Sequence, residues 1–79
     1  MRILLFAQLK DAAGRPEIAW PGAGPLRGDQ FWERLIAEYP ALAPHRPIVR
    51  LARNGAYASA DTVFQAGDEI ALIPPVSGG

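Results

Sequence analysis

The sequence contains 79 residues, with eight basic and eight acidic side chains, no cysteine and an apolar share of 49%. This length supports a single domain, and balanced charge without a basic stripe argues against a nucleic-acid-binding function. The lack of cysteine excludes disulfides, zinc–thiolate sites and a cysteine nucleophile. The longest apolar run, at residues 3–7, is far shorter than the roughly 20 residues that a membrane span requires. We therefore expect a soluble, cytoplasmic protein.

The first half of the chain predicts two strands followed by a helix. Residues 3–9 and 17–20 are apolar and compatible with strands, and the breaker cluster between them predicts a hairpin. Between residues 29 and 39 the apolar side chains recur every three to four positions, which is typical of an amphipathic helix. Asp29 is the expected N-cap, because its carboxylate can accept free backbone N–H groups, and Pro40 ends the helix.

The second half predicts three more strands, at residues 48–53, 56–58 and 69–73. Asn54-Gly55 joins the first two, because both residues tolerate the positive φ of a type I′ turn. Residues 41–47 are expected to form a loop, and residues 61–66 a connection with room for one helical turn. The fold expected from this order is an α+β, ubiquitin-like β-grasp. It has a mixed sheet of about five strands with one main helix on one face.

One helix covers only one face of such a sheet, yet the first and last strands are apolar on both faces. If Ile3 and its alternating partners meet the helix, Phe6 and Ile73 lie on the uncovered face together with Tyr57. An uncovered apolar patch of this kind marks a partner-binding surface. The alternative is that the long loops cover these side chains.

The last six residues, Pro74-Pro75-Val76-Ser77-Gly78-Gly79, point to chemistry at the chain terminus. The prolines favour a stiff, extended exit from the sheet. Terminal Gly-Gly has no side chains, so it can pass through a narrow channel and present an unhindered carboxylate. An enzyme that activates this carboxylate as an acyl-adenylate could exchange AMP for sulfur, giving a thiocarboxylate, or for a lysine amine, giving an isopeptide. The alternative is a frayed terminus. We expect a domain at residues 1–75 and a flexible tail at 76–79.

The segment at residues 67–79 combines an acidic-glycine turn, an apolar strand, Pro-Pro and Gly-Gly. It resembles the C-terminal signature of the small subunit of molybdopterin synthase, a family of ubiquitin-like sulfur carriers. Residues 5–9 and Asn54 are also similar to that family's opening strand and central hairpin. The resemblance extends over the whole chain in length and element order.

The resemblance implies a non-catalytic subunit that delivers sulfur for the dithiolene of the molybdenum cofactor. An E1-like adenylyltransferase would activate Gly79 with ATP, and a persulfide donor would supply the sulfur. Gly78 would thread into the large synthase subunit of a heterotetramer. No cofactor or metal is expected on the carrier itself. The residues that the resemblance assigns to partner contact, on the strands and at the start of the tail, are Phe6, Tyr57, Ile73, Pro74, Pro75 and Val76.

Two other functions stay open at this point. A thiamine-type sulfur carrier shares the fold and the Gly-Gly terminus, although the Pro-Pro step favours the molybdopterin branch. A ubiquitin-like protein modifier or interaction module would use the same tail without sulfur. The fate of Gly79 separates the three.

Other side chains give weaker signals. His45 is a lone loop histidine and is not expected to bind metal or act in catalysis. Trp20 and Trp32 are interpreted as packing residues. Arg50 and Arg53 are assigned to one exposed strand face, which would be either a solvated edge or a guide for an acidic partner.

Overall fold

A computed structural model describes residues 1–75 of the chain. In chain order the elements are β1 (Arg2–Leu5), α1 (Ala7–Ala13), β2 (Glu17–Ala19), β3 (Leu26–Arg27), α2 (Gly28–Glu38), a 3₁₀ helix (Pro40–Ile48), β4 (Arg50–Arg53), β5 (Ala56–Tyr57), β6 (Val63–Phe64) and β7 (Glu69–Ile73). Within residues 1–75, no helix is both long enough and apolar enough to cross a membrane.

Five of the strands form one mixed sheet in the order β2-β1-β7-β4-β5, and β3 pairs with β6 in a separate two-stranded sheet. The first and last strands, β1 and β7, lie parallel at the centre, while the other neighbours are antiparallel. The predicted five-stranded sheet and the predicted pairing of the first two strands are therefore confirmed. The chain leaves the sheet from its central strand.

The sheet face that contacts α2 forms the hydrophobic core. Ile3 and Ile70 are paired across the β1–β7 ladder, and neither has any exposed surface. The Phe31 ring of α2 lies 5.4 Å from both the Trp20 ring and the Phe64 ring, measured between centroids. Full burial of one large apolar side chain contributes roughly 1.5–3 kcal/mol. This small cluster thus holds α2, the end of β2 and β6 together.

The first strand is shorter than predicted. It ends at Leu5, and most of the residues expected to continue it form α1 instead. The prediction was wrong because the position of Leu9 fits both the strand and the helix periodicity. It continues the alternation of the strand, but with Ala12 and Ala13 it also forms an apolar stripe at positions i, i+3 and i+4. In the structure this stripe packs on the core. Gly14 ends α1 in the left-handed conformation, with φ of 79°.

The start of α2 also differs from the prediction. The N-cap is Arg27, and Asp29 lies inside the first turn. The Arg27 backbone N–H donates to the Gln30 side-chain oxygen at 2.9 Å, which is one half of a capping box. The Asp29 carboxylate instead forms a 3.3 Å ion pair with the Arg27 guanidinium.

Two connections contain structure that the sequence did not predict. The loop expected at residues 41–47 is a 3₁₀ helix, whose shorter hydrogen-bond spacing accommodates Pro44 and Pro47. The connection expected at residues 61–66 contains β6, which is held to β3 by burial of Phe64. Because β6 spans only two residues, it has no periodicity that a sequence could display.

Gly24 provides a test of the packing between the β2–β3 loop and the turn before β7. Its φ is +128°, and an added Cβ would lie 2.6 Å from the Ala66 backbone nitrogen. Gly22 also has a positive φ, of 71°, but no atom lies within 4 Å of its Cβ position. We expect Gly24→Ala to lower the free energy of unfolding by about 3 kcal/mol, and Gly22→Ala by only about 1 kcal/mol. Urea denaturation followed by circular dichroism measures both, and equal losses would contradict the close approach.

Candidate functional site

The sheet face opposite α2 is uncovered, and we call it the open face. Strand register places Leu4, Ala71, Ala52 and Tyr57 in one row across β1, β7, β4 and β5. Residues that are directly paired project from the same face, so this row is continuous. Side chains on the strands therefore alternate between the face that contacts α2 and the open face, as the sequence predicted.

The exposed apolar side chains predicted for this face are present. Phe6 is 45% exposed and Tyr57 is 60% exposed, whereas Ile73 is half-buried. Tyr57 and Ile73 line one depression of about 300 Å³ with Ala52, and Phe6 is not among its lining residues. Phe6 directly follows the Leu5–Leu72 pair and so lies at the same end of the sheet as Ile73.

The tail begins at this same end of the sheet. β7 finishes at Ile73, after which Pro74 is half-buried and Pro75 is exposed. The structure therefore fixes the point from which the tail departs, beside the apolar side chains of the open face. The predicted functional residues Val76, Gly78 and Gly79 lie outside the described residues.

A charged group flanks the open face at the β1–β2 side. The Arg2 guanidinium contacts Glu17 on β2 and Glu69 on β7, each at 3.0 Å. All three side chains project from the open face, because Arg2 is paired with Glu69, and Glu17 is paired with Leu4, which lies on the same face as Arg2. This group carries a net charge of −1 at one side of the apolar row.

Arg50 and Arg53 do not share a face, contrary to the prediction. Residues three apart on a strand point in opposite directions. Arg50 is paired with Ile73 and its guanidinium lies 3.9 Å from the centroid of the Tyr57 ring, on the open face. Arg53 is paired with Ile70 instead, and it donates to the Val63 carbonyl at 2.9 Å.

Sequence reasoning missed a polar clamp that fixes the β4–β5 hairpin to the start of β7. The Asn54 side chain donates to Asp68 Oδ1 at 3.1 Å and accepts from the Glu69 N–H at 2.9 Å. Asp68 Oδ2 accepts the Gln65 N–H at 2.8 Å. The Asn-Gly turn signal indicated the hairpin but not this contact. The clamp orients β5, and with it Tyr57.

The remaining histidine and carboxylate side chains do not assemble a metal centre in the described part of the chain. Within residues 1–75, no group of three or more His, Asp or Glu side chains is placed to hold a metal ion. Trp20 and Trp32 are buried core residues, as predicted. The Trp20 indole N–H donates to Glu38 at 2.9 Å. His45 is half-buried in the 3₁₀ helix.

Comparison with known proteins identifies relatives along the full chain. The ThiS family profile matches residues 3–79. The chain is 32% identical to the molybdopterin synthase sulfur carrier subunit of Arabidopsis thaliana, over 100% of this chain and 82% of that protein. It is 30% identical to the Homo sapiens protein of the same name, over 100% and 93% of the two chains. The crystal structure of small archaeal modifier protein 1 from Haloferax volcanii superimposes with a TM-score of 0.81 and 32% identity, over 99% and 97% of the two chains. This superposition confirms the predicted β-grasp fold.

Asp68 provides a test of the clamp through its pH dependence. The hydrogen bond from the Gln65 N–H, followed by that from Asn54, lowers the pKa of the Asp68 carboxyl below its ordinary value of 3.8. Its stabilising contribution is therefore present above pH 3.8 and is lost as the pH falls through the lower, folded-state pKa. We expect Asp68→Asn to lower the free energy of unfolding by about 1 kcal/mol at neutral pH, and by less in acid. Thermal denaturation from neutral to acid pH measures this, with Asp61→Asn, an exposed loop residue, as control. A loss that does not change with pH would contradict the role of the Asp68 charge.

Proposed function

This chain belongs to the ThiS family, and from that membership we propose that it is the sulfur carrier subunit of a molybdopterin synthase. It delivers sulfur for dithiolene formation in molybdenum cofactor biosynthesis, as a C-terminal thiocarboxylate on Gly79. The observation that carries the proposal is the full-length similarity to proteins with that name. The Gly78-Gly79 terminus and the uncovered sheet face beside its origin fit this function.

The chemistry of the tail follows from its composition. The chain has no cysteine, so sulfur cannot be carried as a side-chain thiol or persulfide. The carboxylate of Gly79 is a poor acyl donor until an E1-like partner converts it to an acyl-adenylate with ATP, releasing pyrophosphate. The terminal sulfur of a persulfide donor then attacks the acyl carbon and displaces AMP, and a second thiol reduces the resulting acyl disulfide, which leaves the thiocarboxylate on Gly79 and a disulfide on the donor. Because Gly78 and Gly79 lack side chains, the tail fits channels that exclude larger residues.

The open face supplies the docking surface for the partners. Phe6, Tyr57 and Ile73 present apolar area next to the point where the tail departs. Pro74 and Pro75 follow directly on this surface. Val76, which lies outside the described residues, is assigned to the same contact from the sequence. A partner that covers it, whether the large synthase subunit or the activating enzyme, receives the tail in one direction. The carrier is thus a co-substrate without catalytic side chains, divided into a domain at 1–75 and a tail at 76–79.

Conjugation to proteins is the second candidate function. The observation that favours it is the similarity to small archaeal modifier protein 1, which matches this chain in both sequence and structure. The same acyl-adenylate would then react with a lysine amine and form an isopeptide. The two functions share every residue of the domain and differ only in the nucleophile that reaches Gly79.

The fate of Gly79 tests the proposal directly. We expect incubation with ATP, a sulfur donor and the cognate E1-like enzyme to give the mass gain that corresponds to one oxygen replaced by sulfur. Intact-mass spectrometry measures this gain, and deletion of Gly79 should abolish it. An isopeptide on a lysine, or no gain under conditions that modify a known carrier, would reject the sulfur-carrier function.

The open face is tested by truncating its exposed side chains. We expect Phe6→Ala and Tyr57→Ala each to weaken binding of the large subunit by about 10-fold or more, because exposed aromatic anchors dominate such interfaces. Isothermal titration calorimetry measures the affinity. Glu33→Ala is the control, since Glu33 is exposed on α2, on the opposite side of the sheet from the open face. Equal losses in all three variants would exclude the open face as the specific contact.

A further inference from the structure

A second concave surface lies beyond the open face, between the start of α2, the 3₁₀ helix and β4. This cavity has a volume of about 590 Å³. Its inner wall includes the buried rings of Trp32 and Phe64, and three arginines, Arg27, Arg46 and Arg50, also line it. We call it the arginine cavity. It thus combines an apolar floor with a basic rim.

The charge of the arginine cavity is not balanced by neighbouring carboxylates. Most arginines of the described chain have a carboxylate within 4 Å: Arg2, Arg27, Arg34 and Arg53. Among residues 1–75, Arg15, Arg46 and Arg50 form no such ion pair, and two of these three line the same cavity. Asp29 is the single carboxylate among its lining residues in that part of the chain. The chain as a whole has no net charge, yet positive charge is concentrated at the arginine cavity.

The arginine cavity is continuous with the open face through Arg50. The Arg50 guanidinium is stacked on the Tyr57 ring at 3.9 Å, so one side chain borders both surfaces. Stacking on an aromatic face fixes the position of the guanidinium. Its N–H groups point outward in the guanidinium plane and stay available to a ligand. A protein docked on Tyr57 would therefore extend past Arg50 into the cavity.

From this arrangement we propose that the arginine cavity binds an acidic segment of a protein partner. Carboxylates of the segment accept hydrogen bonds from Arg46 and Arg50, and apolar side chains between them cover the half-buried lining residues Val49 and Leu51. The Arg27–Asp29 pair does not oppose this, because both side chains are more than half exposed and solvent screens their charges. A nucleic acid fits less well, because the basic charge is confined to one cavity and forms no extended stripe.

The test uses the full chain and a defined probe. A capped, glutamate-rich peptide with interspersed leucines is titrated into ¹⁵N-labelled protein, and amide chemical shifts are followed by NMR. We expect shifts at the residues that line the arginine cavity, and weaker binding as salt is added. Arg46→Ala and Arg50→Ala should each weaken binding by about 2- to 5-fold. Arg15→Ala, which removes an unpaired arginine elsewhere, should leave the affinity unchanged.

Several results would overturn the proposal. One is the absence of chemical-shift changes at the residues that line the cavity. Another is a loss of peptide affinity in the Arg15→Ala variant equal to that in the cavity variants. A third is equal affinity for the same peptide with lysine in place of glutamate. Inorganic phosphate that binds the cavity as tightly as the peptide would indicate a small-anion site instead. Because the probe is bound by the domain, a variant without Gly79 should bind it equally well. The result is therefore independent of whether Gly79 carries sulfur.

Discussion

The parallel pairing of β1 with β7 is the contact on which the rest of the structure depends. It joins residues almost a full chain length apart, such as Arg2 and Glu69, and it lies at the centre of the sheet. Its helix-facing pair Ile3–Ile70 is completely buried against the core. Every other strand of the main sheet is added outward from this pair, β2 beside β1 and β4 with β5 beside β7. Because such a contact closes a long loop, it is stable only when the core beneath it is complete.

The same pairing explains why the molecule has an open face and where its tail begins. All three helical segments pack on one side of the sheet: Leu9 of α1 and Leu42 of the 3₁₀ helix belong to the same core cluster as Phe31 of α2. No helix at residues 1–75 therefore covers the opposite row. The last strand is central, so the tail leaves from the middle of the sheet and not from an edge. The apolar row and the point at which the described chain leaves the sheet are therefore neighbours as a consequence of topology. This arrangement fits the proposed function, in which one surface docks on a partner and the tail starts beside it.

Polar side chains refine this framework at two places. The Asn54–Asp68 clamp fixes the hairpin that presents Tyr57, and the Arg50 guanidinium rests on the Tyr57 ring. The first contact determines the orientation of an apolar anchor, and the second places a positive charge beside it. Apolar area provides affinity with little directional preference, whereas charge at its border selects among partners. The arginine cavity extends this selective border around the side of the domain.

Side-chain periodicity and turn chemistry were sufficient to predict the mixed sheet, the main helix, the 69–73 strand and the face on which Phe6, Tyr57 and Ile73 lie. The sequence also contains the Gly-Gly terminus, which needs no tertiary structure to be recognised. The helical assignment of Leu9 required the folded chain, since its spacing satisfies both periods and packing on the core selects one. The same holds for β6, whose two residues are ordered by the burial of Phe64. The opposite directions of Arg50 and Arg53, in contrast, follow from strand alternation alone, so their assignment to one face was an error of parity. The arginine cavity was invisible in the sequence, because the residues that form it come from three separate segments and meet only when the chain is folded.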